Sequence, residues 1–273
     1  MKEVKLNNGL LMPMIGLGTL GIKPEETPDV IATALNTGYK LIDTAPMYGN
    51  EAEVGQGLVK SGVSRDQIFI TAKIDNGGYE TAKKEIQQSL KNLQVDYFDL
   101  LLIHWPTGKD IDTYRAMQEA YESGLTRAIG LSDFNAQKVD EIIANSDVKP
   151  AVDQIETHLR WQQNRMHAYL KKEGIVHEGW APLGEDTPGF FDAPEVKQIA
   201  ANHNKSAAQV MLRFLTQQGI VVIPKTTDPD QMKENLDVFD FSLTADEMEK
   251  LKAMDRRLSV DDNWVASMQE FMY

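Results

Sequence analysis

Short, largely apolar runs alternate along this chain with longer stretches in which apolar residues recur every three or four positions. The runs at 14–18, 40–43, 68–73, 98–104, 127–131, 151–156, 175–180 and 220–224 read as eight strands covered on both faces. Between them, helical periodicity spans about 27–37, 51–60, 80–93, 110–123, 135–144, 163–173, and 194–202 followed by 206–218. Start signals agree: Thr27-Pro28 reads as a cap with proline in the first turn, and Ser206-x-x-Gln209 and Thr244-x-x-Glu247 are capping-box patterns. Eight βα repeats without a Pro-, Gly- or Ser-rich linker predict one α/β domain over residues 1–273, a closed (β/α)8 barrel. Asn8-Gly9 between apolar residues predicts an extra N-terminal hairpin placed to plug the barrel bottom. The tail after about residue 255 lacks clear periodicity; it is expected near the barrel mouth with Trp264 as an anchor, or else along the surface.

Composition narrows the function. The net charge of −13, from 28 basic and 41 acidic residues, argues against nucleic-acid and anionic-membrane partners. There is no cysteine, hence no disulfide, thiolate metal site or cysteine nucleophile. The segment MKEVKLNNG lacks the apolar core of a signal peptide, and no apolar stretch reaches the roughly 20 residues that cross a bilayer. A soluble, cytoplasmic protein is the expectation.

Four ionisable residues fall where strands should end or just beyond: Asp43, Tyr48, Lys73 and His104. In a parallel barrel those ends share one face, where a carboxylate, a phenol, an amine and an imidazole together can move protons. Taken singly, Asp43 and Lys73 could be a structural ion pair, Tyr48 a half-buried aromatic and His104 a satisfied core histidine. The other histidines, His158, His167, His177 and His203, match no metal spacing, so no metal site is expected. Gly16-Leu-Gly18-Thr-Leu-Gly21, with Asp43 further on, matches a dinucleotide-binding fingerprint. That fingerprint needs a helix opening at the glycines, and Pro24 and Pro28 delay the helix; a loop at the barrel mouth is the better reading.

In order, GLGT (16–19), LIDTAPMYGNE (41–51), FITAK (69–73), DLLLIHWP (99–106), AIGLSDF (128–134), VDQIE (152–156), GWAPLG (179–184) and VVIPKT (221–226) closely resemble the aldo-keto reductase superfamily, its bacterial 2,5-diketogluconate-reductase-like members in particular. The resemblance covers almost the whole chain and implies the same barrel fold. It also implies an NADPH-dependent reductase of aldehydes, ketones, keto sugars or α-dicarbonyls. Asp43, Tyr48, Lys73 and His104 would be its catalytic tetrad. Tyr48 would give the proton, its pKa lowered by Lys73, which Asp43 would hold; neutral His104 would orient the carbonyl oxygen.

For the cofactor, the resemblance implies Trp180 stacked on nicotinamide, Ser132, Asp133 and Gln154 on its carboxamide, and Thr19, Leu20, Asp43 and Leu183 nearby. Lys225 and Thr226 would hold the 2′-phosphate and Glu234 and Asn235 the adenine, making 226–235 a clamping loop. Leu20, Met47, Asp75 and Trp105 would line the substrate pocket, with Trp161 a further candidate. Three positions depart from the family pattern. Asp133 stands where asparagine is usual; it can accept from a carboxamide N–H but not donate, and its charge would favour oxidised nicotinamide. Gln231 stands where an arginine commonly clamps the 2′-phosphate, which predicts weaker NADPH preference with NADH also accepted. Asp75, in Lys73-Ile-Asp75-Asn76, stands where tryptophan is often found, which predicts a wider, more polar mouth suited to small hydrophilic carbonyls. The family's habit points to a monomer. Two rivals are a cofactor-binding regulatory member with little catalysis and a metal-dependent barrel hydrolase; the four-residue set and the absence of paired strand-end histidines speak against them.

Overall fold

Every apolar run becomes a strand, most of them shorter than the pattern suggests. The computed structural model describes residues 2–185, 187 and 189–260. The strands are β1 (Glu3–Lys5), β2 (Leu11–Pro13), β3 (Gly16–Gly18), β4 (Leu41–Asp43), β5 (Phe69–Ile74), β6 (Leu100–Ile103), β7 (Ile129–Ser132), β8 (Val152–Glu156), β9 (Val176–Trp180) and β10 (Val221–Val222). The helices are α1 (Thr27–Thr37), α2 (Glu51–Ser61), α3 (Tyr79–Leu93), α4 (Asp110–Glu122), α5 (Ala136–Ala144), α6 (Asn164–Glu173), α7 (Pro194–His203), α8 (Ala207–Gln217), α9 (Pro229–Leu236) and α10 (Ala245–Lys252). Strands β3 to β10 pair in sequence order, all parallel. An Ile15–Val222 bridge and the bonds Val222 N–H to Met14 O (3.1 Å) and Gly18 N–H to Pro224 O (3.3 Å) close the sheet into a barrel.

The predicted hairpin is formed by β1 and β2, with Val4 opposite Met12. Asn7 and Asn8 donate through their side chains to Pro150 O (2.7 Å) and Arg127 O (2.9 Å), just before β8 and β7 begin. The hairpin therefore covers the N-terminal end of the barrel. Its Leu6 and Met12 join Leu41, Phe69, Leu100, Leu102, Val152, Val221 and Ile223 in one buried cluster. Because side chains alternate along a strand, positions two or four further on face the same way. Those positions include Asp43, Lys73, His104 and Gln154, and Glu178 follows by two the partly buried Val176 that packs on the cluster. One barrel interior thus has an apolar lower layer and a polar upper one.

Glycines in β3 answer to packing, not to phosphate. A Cβ on Gly16 would lie 2.0 Å from Leu41 Cδ2, and one on Gly18 2.9 Å from Ile223 O. The first helix begins only at Thr27, so the nucleotide-fold reading of these glycines is excluded. Both capping boxes form, at Ser206/Gln209 and Thr244/Glu247. Thr27 differs from expectation. It is the first helical residue, and its hydroxyl donates to Lys23 O (2.8 Å) instead of accepting from the helix.

The segment 226–235, read as a loop, turns helical at Pro229. Asp228 caps it by accepting from the N–H groups of Asp230 (2.7 Å) and Gln231 (3.3 Å), and proline fits the first turn. The described part of the tail crosses the rim where β8 ends: Val260 N–H and Ser259 Oγ donate to the Glu156 carboxylate at 2.7 and 2.6 Å. Trp264 lies outside the described residues. No helix among the described residues is long and apolar enough to cross a membrane.

Candidate active site

The polar upper layer is organised around Lys73, whose side chain is fully buried near the end of β5. Its ammonium donates to Asp43 Oδ1 (2.5 Å), at the end of β4, and to Tyr48 Oη (3.0 Å). Tyr48 is carried on the 3-10 turn Pro46–Tyr48 that follows β4. That turn is pinned because buried Asn50 donates to both Thr19 O and Ile22 O (2.9 Å each), tying the loops after β3 and β4 together. His104 follows β6, with its ring centroid 5.6 Å from that of Tyr48 in an edge-on arrangement. The four residues picked from the sequence therefore meet at the C-terminal end of the barrel.

Burial sets their proton chemistry. It works to discharge Lys73, but the Asp43 carboxylate outweighs it and holds the ammonium well above the ordinary lysine range. The Tyr48 ring is only partly covered, yet its hydroxyl reaches the fully buried Lys73. Burial pushes the phenol up to about 12, with the Lys73 charge opposing the rise without cancelling it. This corrects the expectation that Lys73 leaves Tyr48 more acidic than ordinary tyrosine. Lys73 limits a rise that burial imposes, and Tyr48 keeps its proton at rest. His104 is held below the ordinary imidazole value by burial, with Asp75 opposing.

Two carboxyl groups complete the layer. Gln154 donates one amide hydrogen to Asp43 Oδ2 (2.8 Å) and the other to Glu178 Oε2 (2.9 Å), leaving only its carbonyl oxygen to accept. Burial, then the Asp43 charge, push Glu178 up to about 8, so it is mostly protonated near neutrality. Glu178 escaped the sequence reading although it lies on β9 two residues before Trp180, on the same face. Asp75 was expected in the substrate wall. It also contacts His104: its Oδ1 lies 2.5 Å from His104 Nδ1, while Oδ2 accepts Met47 N–H at 2.6 Å.

The remaining candidates divide. Trp180 is half-buried at the end of β9, and its indole N–H donates to Asp133 Oδ1 (2.9 Å), which fixes the ring plane. Asp133 follows Ser132 with a left-handed backbone (φ 58°). Thr19 spends its hydroxyl and its N–H on Asp43 O (2.9 and 3.1 Å). Leu20 and Met47 are exposed at the mouth, Leu183 is half-buried, and the Trp105 ring is tilted against that of His104 with centroids 4.2 Å apart. Lys225 is exposed. Thr226 donates to Gln231 Oε1 (2.7 Å), while Glu234 accepts from the Ser206 hydroxyl. Asn235 is a buried residue of α9 itself. Trp161 is buried in the turn after β8, where it bridges to His158, away from the tetrad's contacts.

A family model for the aldo/keto reductase family matches residues 14–256. The chain belongs to the aldo-keto reductase family. This aldo-keto reductase is 42% identical over 265 residues to glyoxal reductase of Bacillus subtilis, with 95% of each chain covered. It is 36% identical to methylglyoxal reductase DkgA of Escherichia coli, over 94% of this chain and 96% of that one. Among solved structures, the aldose reductase from Schistosoma japonicum superposes with a TM-score of 0.92 at 33% identity, covering 100% of this chain and 99% of that one. The chain is thus an oxidoreductase of a family that uses nicotinamide cofactors. The donor set fits a nicotinamide: a Trp180 face held in plane by Asp133, the Ser132 hydroxyl, and a Gln154 amide with one oxygen left to accept.

Proposed function

We propose that this aldo-keto reductase reduces small, polar carbonyl compounds such as α-dicarbonyls with NADPH, and that Tyr48 supplies the proton. The observation that carries this reading is the position of Lys73 Nζ between Asp43 Oδ1 and Tyr48 Oη. When bound, reduced nicotinamide supplies a hydride to the carbonyl carbon. As the carbonyl oxygen gains charge, the Tyr48 O–H bond breaks and its proton passes to that oxygen. The phenolate left behind is stabilised by the Lys73 ammonium, already aimed at it. Asp43 keeps Lys73 charged, and Gln154 keeps Asp43 in place. A mouth carrying Asp75 instead of a bulky aromatic suits polar substrates, in line with the names of the Bacillus and Escherichia relatives.

For the cofactor, Lys225 and Thr226 would meet the 2′-phosphate. Gln231 brings no charge there, Lys233 is paired with Asp230 (2.9 Å), and Asp228 adds a carboxylate. This supports NADPH use with only modest discrimination against NADH. The test is loss of reduced-cofactor absorbance with methylglyoxal and with a large apolar ketone, using each cofactor in turn. Turnover of methylglyoxal, unaffected by chelator, is expected. Binding of NADPH with no turnover of any carbonyl would overturn the reading in favour of a regulatory protein.

A further inference from the structure

His104 can reach a carbonyl oxygen only through Nε2, because Nδ1 is committed to Asp75. An ionised carboxylate accepts hydrogen bonds and donates none. Ordinary imidazole is more basic than an ordinary carboxylate by more than about two pKa units, so a proton between the two rests on nitrogen. The second Asp75 oxygen is held by Met47 N–H, one residue before Tyr48. Asp75 N–H in turn donates to Glu85 Oε2 (2.9 Å), which anchors the residue from behind. With Nδ1–H directed at Asp75, a neutral ring has no proton on Nε2 and shows a substrate oxygen a lone pair. The sequence-based picture of a neutral His104 donating to the carbonyl does not fit this arrangement.

We propose that Asp75 is a positioning residue that holds His104 as the Nδ1–H tautomer, so that carbonyl reduction runs through the imidazolium form, the one form able to donate from Nε2. The proposal rests on the carbonyl-reductase reading above. Asp75 does two things at once in this account: it selects the tautomer, and through Met47 it fixes the turn that carries Tyr48. Among the described residues, the charged and titratable groups around the ring are Asp75 and Lys73 from β5 and just beyond, Asp43 from β4, and Tyr48 from the turn that follows it. Their net balance with burial keeps the imidazole below its ordinary value, so the reactive form is in the minority at neutral pH. The neutral ring is the better partner for an alcohol, whose O–H it accepts, so acid favours reduction and alkali favours oxidation.

Two measurements decide the matter. In 15N spectra of the labelled protein without cofactor, His104 is identified by the signals lost in His104→Gln. Above the imidazole pKa, its Nδ1 is expected to carry the proton and its Nε2 to be bare; Nε2–H in the wild type would overturn the proposal. In the second, kcat/KM for methylglyoxal reduction is followed against pH. The wild type is expected to lose about tenfold per pH unit above the His104 pKa. In Asp75→Asn the amide keeps its oxygen for Met47 N–H and gives a hydrogen to Nδ1, so the proton moves to Nε2. That variant is expected to show a profile flat to about threefold over the same span. A profile as steep as that of the wild type would also overturn the proposal. A wild type that reduces no carbonyl would remove the reductase reading, while the tautomer spectrum would still decide what Asp75 does.

Discussion

Replacing Lys73 by methionine removes one charge from the centre of the site while nearly preserving its volume. The Nζ–Oη distance is 3.0 Å, so full charge on Tyr48 Oη would be stabilised by about 5.5 kcal/mol at an effective dielectric of about 20. A transition state with between half and most of that charge loses roughly 3 to 5 kcal/mol, or about two to four powers of ten in kcat. Desolvation opposes this less than in an ordinary buried pair, because Lys73 is already buried and charged in the resting enzyme. Single-turnover reduction of methylglyoxal at saturating cofactor measures the effect, with circular dichroism confirming the fold and cofactor titration confirming binding. The phenol should meanwhile titrate even higher than its present value near 12, since the cation that opposed its rise has gone. A Lys73→Met protein that binds cofactor and turns over within about threefold of wild type would refute the electrostatic argument.

Glu178 links pH to stability. A carboxyl whose folded pKa, about 8, lies above its unfolded value favours the folded state only while it keeps its proton. That contribution is complete below the unfolded carboxyl value and is lost as pH rises through about 8. Glu178→Gln should therefore raise Tm over wild type by several degrees at about pH 9 and change it little at about pH 5; equal shifts at both would count against the assignment. At the other end of the site, Gln231→Arg should raise the NADPH-to-NADH ratio of kcat/KM about tenfold or more, from a charge-assisted bond to the extra phosphate. An unchanged ratio would place that phosphate elsewhere.

Sequence pattern carried the architecture because β-barrel strands are covered on both faces. Stretches such as 68–73 and 100–104 therefore carry no charged side chain until the position where chemistry begins. The tetrad was legible for the same reason: Asp43, Lys73 and His104 interrupt that pattern where a strand should stop. Glu178 was not, because its place in the upper layer depends on the register of β9 against β8, and HEGW alone does not reveal which side chains face inward. Contacts across loops were equally hidden: Asp75 and His104 are 29 positions apart. The sign of the Tyr48 shift was missed because it depends on burial outweighing a cation, a comparison of magnitudes that residue identities do not contain. Helix α9 is legible in its start signal, Asp228-Pro229, but at eight residues it is too short to show a clear apolar period.

The most direct test of the central claim is the turnover of Tyr48→Phe, a change that removes one hydroxyl. Cofactor binding, followed by quenching of tryptophan fluorescence, should persist, and kcat for carbonyl reduction should fall by about two to four powers of ten. A Tyr48→Phe protein that binds cofactor and reduces methylglyoxal at the wild-type rate would contradict it.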